Sequence, residues 1–380
     1  MLALTARFAY TPEGLHFDPL ILIEDGTIVE VTSRAHRELP TKHVDFGNTI
    51  LAPGFIDIHV HGGAGFDVMH ASESELPHFE RFLAQHGVTS YLATTVTAPE
   101  DVTLQSLARL GRAVQNGHCE SNRARPLGIH LEGPFISHAK RGVHPSDSVR
   151  PADTALFDRF FEAAGGAMKL MTFAPELPNG EAFIRHAVER GVNVSLGHSD
   201  ANWAQTQAGI AAGAKTATHT FNAMRPLDHR DPGVLGATLT SADLMADIIA
   251  DGVHVHPEMV KLFLESKGED RAMLITDAIS ATGMPDGHYM LGNLEVEVKG
   301  DRCEHEGRLA GSVLTLDRAV RNARQFSGWR MERIVKLVTA NPARLLGLPN
   351  KGQIAVGADA DLAVLTQAGE VVGTVVGGRV

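Results

Sequence analysis

The sequence predicts an α/β protein: an eight-stranded parallel barrel wrapped by crossover helices, with a small β domain made from both ends of the chain. Three observations predict it. Eight short apolar runs alternate with helical stretches through the middle of the 380 residues, both ends are rich in strand signals, and reactive side chains recur where the central runs end.

The first 50 residues read as short strands. LILIEDGTIVEV, Leu20 to Val31, is apolar on both sides of Asp25-Gly26, a strong hairpin signal. The last 30 behave alike: QIAV, ADLAVL and EVVGTVV are punctuated by Gly352, Gly357, Gly369, Gly373, Gly377 and Gly378.

Between these ends the predicted strands are Phe55 to Val60, Val88 to Thr94, Pro126 to Leu131, Met168 to Phe173, Val192 to Leu196, Lys215 to Thr218, Leu244 to Ala250 and Ala272 to Thr276. Helical spacing fills the gaps. Pro99 to Gln115 places Leu107, Leu110 and Val114 on one face, and Pro257 to Ser266 does so with Val260, Phe263 and Leu264. Asp286 to Arg308 reads as a hairpin inserted after the eighth strand.

Composition narrows the function classes. With 43% apolar and 21% charged residues, the chain is expected to be globular and water-soluble. A net charge of −11 disfavours nucleic acid or an anionic membrane as partner. Cys119 and Cys303 are too few for a disulfide framework or an all-cysteine zinc site, which fits a reducing cytosol. Arg7 interrupts any signal-peptide core and no run of about 18 apolar residues occurs, so a cytoplasmic location is expected. Twenty His make imidazole the candidate metal ligand.

A parallel barrel builds its site at the C-terminal ends of its strands. Strand one carries Asp57, His59 and His61 on one face by period-two alternation. Strand three ends in Glu132, strand five leads to His198, strand six to His219, strand seven to His254 and strand eight to Asp277. A single histidine at a strand end is ordinarily a hydrogen-bonded structural residue. Five such groups converging on one mouth point instead to a metal, and an incomplete shell of Glu and His suits catalytic Zn²⁺ or Fe²⁺. Such a metal acidifies water and polarises a carbonyl, while an unligated carboxylate, here Asp277, moves the proton.

Two loops could receive an anion or simply be solvated. NAMRPLDHRDPG holds Arg225, His229 and Arg230, and HAKRGVHP holds His138, Lys140, Arg141 and His144. Neither has the glycine spacing of a nucleotide-phosphate loop.

The motifs PGFIDIHVHG, HLEGPF, LGHS, THTFNAM, DGVHVHP, TDA and LAGS, in this order, resemble the N-acetylglucosamine-6-phosphate deacetylase family of metal-dependent amidohydrolases across essentially the whole chain. HLEGPF with THTFNAM is the specific pair; HxH is shared widely. The resemblance implies a distorted (β/α)₈ TIM barrel over 53–346 and a β-sandwich from 1–52 plus 347–380.

It further implies Glu132, His198 and His219 as ligands of the main metal, Asp277 as catalytic acid/base, and His254 as a second catalytic residue that contacts the substrate and helps to orient or polarise the acetamide. His59 and His61 make a second metal plausible, bridged through Glu132. Asn222, Ala223, the Val143 backbone and Leu309-Ala310-Gly311 would line the sugar phosphate site. Arg230 would reach a neighbouring subunit's phosphate, which implies a homodimer. Lys169 stands at the start of strand four, so no lysine at that strand's end can bridge two metals as in dihydroorotase-like relatives. The implied activity is removal of acetate from a phosphorylated amino sugar. The rivals are a cyclic amidase or nucleobase deaminase on the same barrel, or a non-catalytic sensor.

Overall fold

Eight parallel strands form the centre of the structure, a computed structural model that describes residues 1–117 and 122–380. Cys119 lies outside the described residues, and Cys303 is a buried free thiol. The strands are Phe55–Val60, Val88–Thr95, Arg125–Glu132, Met168–Phe173, Asn193–Leu196, Thr216–Ala217, Ala246–Ile249 and Ala272–Ile275. Every residue of the first two is buried, as expected where helices cover one face and the barrel interior the other.

The first six strands form one continuous sheet and the last two a separate pair. Two seams close the barrel. Met245 N donates to Lys215 O and Ala217 N to Met245 O between strands six and seven. Asp277 N donates to His59 O at 2.9 Å, and His61 N to Ala278 O at 2.8 Å, between strands eight and one. The absence of full ladders at these seams among the described residues is the barrel's distortion, and the second seam lies at the site.

The expected helices form over Glu100–Gln115 and Pro257–Lys267. The inserted segment departs from expectation. Instead of one hairpin it is four antiparallel strands, Gly287–Leu291, Leu294–Lys299, Arg302–His305 and Arg308–Leu309. Three tight turns join them, the last at Glu306 and Gly307, both at positive φ, and Leu291, Val296, Val298 and Cys303 give the insertion its own small core.

Both chain ends fold into one β domain of two sheets. One is ordered Thr27–Ser33, Pro19–Glu24, Leu2–Thr5, His43–Asp45; the other Val371–Val375, Leu362–Leu365, Ile50–Pro53, Phe8–Thr11, Gly14–Phe17. Asp25 and Gly26 make the expected turn, with φ of 47° and 80°. Leu4, Ile21, Ile28, Leu51, Leu362 and Val364 form the shared core. Asp361 ties this domain to the barrel: its carboxylate accepts from Arg125, at the start of barrel strand three, and from Lys351 and the Gly377 amide. Among the described residues no helix is long and apolar enough to cross a membrane.

Candidate metal centre and substrate cleft

Strand periodicity delivers the first candidate ligands, His59 and His61. Asp57, His59 and His61 point inward together; Asp57 accepts from Thr276 Oγ1 at 2.6 Å and from the His59 amide, bracing strand one against strand eight. The later candidate groups stand where the backbone leaves the strands. His198, His219 and Asp277 have φ of 48°, 29° and 52°, left-handed values that cost non-glycine residues about 1–3 kcal/mol each.

Buried hydrogen bonds hold these turns. His219 N donates to Asp247 Oδ1 at 2.5 Å, and Asp277 N to His59 O. Glu176, past the end of strand four, accepts from Ser199 Oγ and Asp200 N, the two residues after His198. A capping box between Asn202 and Gln205 then starts the next helix, Trp203–Ala211.

Two triads of donor atoms result: Glu132, His198 and His219, and His59, His61 and Asp277. Glu132 Oε1 lies 3.1 Å from His219 Nε2 and 3.3 Å from His198 Nε2, and those nitrogens are 3.0 Å apart. In the second triad His59 and His61 Nε2 are 3.2 Å apart, and Asp277 Oδ1 is 3.4 and 3.1 Å from them. Glu132 stands between the triads, with Oε2 3.3 Å from His61 Nε2 and Oε1 3.4 Å from His59 Nε2.

These spacings fit a metal. Two ligands at about 2.0–2.1 Å from a tetrahedral ion are about 3.3 Å from each other. Tautomers agree as well. His61 Nδ1 donates to Thr94 O and His198 Nδ1 to Lys140 O, so in the neutral rings the Nε2 lone pairs face the carboxylate oxygens, an arrangement that calls for a cation. Burial opposes charge on His61, yet the Asp277 and Glu132 carboxylates outweigh it and push its pKa up to about 10. Burial likewise resists ionisation of Asp277, but His59 and His61 bring it down to about 2. His130, on the same face as Glu132, is by contrast a structural histidine: Nδ1 donates to Ile58 O, Nε2 accepts from Thr172 Oγ1, and burial holds it neutral.

Above the triads is a cleft. Val143, Asn222, Ala223, Leu309, Gly311 and His254, the substrate-site candidates, line it together with Asp277 and four of the five candidate ligands. His59 sits beneath them, fully buried. Ala310 does not line the cleft; it is buried in the insertion's core, and its two neighbours face the opening. Arg230 is exposed and outside the cleft of its own subunit, with its amide donating to Asp228.

Sequence reasoning overlooked two residues. Asp251 accepts from the Val253 and His254 amides and from His254 Nδ1 at 2.7 Å, which turns His254 Nε2 toward the cleft. His144 was placed only in a candidate anion loop, but its ring enters the cleft. Its Nδ1 accepts from Thr97 N and lies 2.7 Å from Thr97 Oγ1, so the proton rides on Nε2, 3.6 Å from Glu132 Oε2. Burial and the His198 ring push its pKa down to about 3, keeping it neutral. The charged ends of that loop and the next point elsewhere: Lys140 faces Asp200, and Arg225 pairs with Asp231.

A sequence model described as the amidohydrolase family matches residues 50–380. The chain belongs to that family. Within the amidohydrolases, an N-acetylglucosamine-6-phosphate deacetylase of Lysinibacillus sphaericus is 39% identical over 348 residues, 91% of this chain and 89% of the relative. An N-acetylgalactosamine-6-phosphate deacetylase of Escherichia coli O157:H7 is 38% identical over 91% of this chain and 89% of the relative. The solved structure of an aspartate-to-alanine mutant of the Mycobacterium smegmatis N-acetyl-D-glucosamine-6-phosphate deacetylase, in complex with N-acetyl-D-glucosamine-6-phosphate, superimposes with a TM-score of 0.93 at 34% identity. It covers 100% of this chain and 98% of that one.

Proposed function

We propose that this amidohydrolase removes the acetyl group of N-acetylglucosamine 6-phosphate, giving glucosamine 6-phosphate and acetate. The observation that carries the reading is Asp277, a buried carboxylate that opens on the same cleft as Glu132, His198 and His219. Those three would hold a divalent cation, Zn²⁺ or Fe²⁺, and His59 and His61 with Asp277 give a second ion a place beside Glu132. Such a cation supplies Lewis acidity, acidifying water and polarising a carbonyl oxygen.

The chain's own residues do the rest. Asp277 takes a proton from the attacking water, whose oxygen bonds to the acetamide carbon. When the carbon–nitrogen bond breaks, Asp277 returns that proton to the nitrogen, and acetate and the amine are released. His144, with its proton on Nε2, is a hydrogen-bond donor beside Glu132 for the developing negative oxygen, and His254 orients and polarises the acetamide. Asn222, Ala223 and the Val143 backbone receive the sugar phosphate. Exposed Arg230 extends to the phosphate of a second copy in a homodimer. A phosphorylated substrate does not cross membranes unaided, which supports a cytoplasmic location for the enzyme.

The relative named for the galacto sugar supports a second reading in which the 4-epimer is also accepted. Acetate release from N-acetylglucosamine 6-phosphate, N-acetylgalactosamine 6-phosphate and unphosphorylated N-acetylglucosamine tests both. Turnover of the phosphorylated sugars well above the free sugar is expected. Release from none of them, with metal bound, moves the assignment to another amidohydrolase reaction.

A further inference from the structure

Resting on the deacetylase reading above, the cleft also has an end to which that reading gives no task. On that reading the sugar phosphate would lie toward Asn222, Ala223, His254 and the Val143 backbone, and the reacting carbonyl at Glu132 and Asp277. An amide nitrogen that leads to the sugar sends the acyl carbon chain the opposite way, toward strands one and two. There the lining is apolar: Val96 and Leu291.

Val96 follows the second strand and stands between two residues that fix site imidazoles. Thr94 O holds His61 Nδ1 at 3.1 Å, and Thr97 holds His144 Nδ1. Leu291 ends the first strand of the insertion. Both are almost fully buried, at 4% and 3% exposure, so they present little more than the surface that faces the cleft.

Behind them the wall has no slack. A Cβ added at Gly292 would sit 2.5 Å from Val96 Cγ1, and Met69 and Ala98 pack against Val96 from the rear. One buried carboxylate fastens both layers: Asp67 accepts from Met69 N at 2.8 Å and from Gly292 N at 2.7 Å, while Met69 sulfur accepts from Val96 N. An acyl group that met this wall could not push it back, since close-packed side chains pinned by backbone hydrogen bonds do not yield by a methylene without cost.

We infer that Val96 and Leu291, fastened by Asp67, set the length of the N-acyl group this enzyme removes, admitting acetyl and rejecting longer chains. The test is kcat/KM of the metal-loaded protein on N-acetyl-, N-propionyl- and N-butyryl-glucosamine 6-phosphate, for wild type, Val96→Ala, Leu291→Ala and Val96→Ile. One methylene against a hydrophobic wall is worth roughly 10- to 200-fold in discrimination. Wild type should therefore lose at least about tenfold on propionyl. Either alanine variant should raise the propionyl-to-acetyl ratio by about tenfold or more, and the isoleucine variant should lower acetyl turnover.

Unchanged ratios in both alanine variants, with acetate still released, would overturn the inference while leaving the deacetylase reading intact. So would equal wild-type rates on acetyl and butyryl substrates. Wild type inactive on every N-acyl sugar phosphate would overturn the deacetylase reading and the acyl wall with it. If one alanine variant fails to fold, the other decides the question.

Discussion

Two buried carboxylate clusters in this molecule use similar residue types to opposite ends. At the junction of the β domain and the barrel, Asp361 is answered by the side chains of Arg125 and Lys351 and by the Gly377 amide. At the barrel mouth, Glu132 and Asp277 are answered, among the described residues, by imidazoles, with donor atoms 3.0–3.4 Å apart and left-handed backbone at three of the residues. The junction is complete within the protein. At the mouth the positive charge is a proton held by His61 or a bound cation that takes its place, and that exchangeable charge is what distinguishes a candidate binding centre from a structural ion pair.

The comparison can be broken in order of effect. Asp277→Asn should still fold and bind metal while kcat falls by about 10³-fold or more, since no other group shuttles the proton. Parallel turnover and metal analysis checks it, and near wild-type turnover contradicts it. Glu132→Gln should fall below wild type in both metal content and turnover, because the residue between the triads loses its charge; full metal content would contradict the ligand assignment.

At the junction the expected loss is stability, not activity. Breaking a buried pair costs about 3–5 kcal/mol, and the partial exposure of Arg125 reduces this to about 2 kcal/mol for Asp361→Asn, measured by urea unfolding at neutral pH. Burial alone would raise the Asp361 pKa, but Lys351 and Arg125 outweigh it and lower it. Its contribution is thus present above the ordinary carboxylate pKa and lost as pH falls toward the lowered value, so variant and wild type should converge in acid. A constant gap down to pH about 2 would contradict this account. The smallest effect is expected at Asp251→Asn, which frees His254 to rotate: KM should rise a few-fold at unchanged metal content.

Local patterns made much of the site legible. Period two in IDIHVH places Asp57, His59 and His61 on one face, and strand ends point to Glu132, His198, His219 and Asp277, because both rest on neighbours along the chain. His144 was not legible as a cleft residue. Its ring is oriented by Thr97, 47 residues away, and only the folded loop after strand three shows that it turns inward. The Arg125–Asp361 pair spans 236 residues and carries no motif at all. The insertion was read as one hairpin, which has one turn where its four strands have three, and none of Gly292-Asn293, Gly300-Asp301 and Glu306-Gly307 is the Asn-Gly or Asp-Gly signature that marks Asp25-Gly26.

The most direct measurement removes the cation with a chelator and follows metal content, acetate release from N-acetylglucosamine 6-phosphate and urea stability together, before and after Zn²⁺ or Fe²⁺ is restored. The account predicts that release disappears with the metal and returns with it, and that Asp277→Asn regains metal without regaining release. Undiminished release from metal-free protein would contradict it.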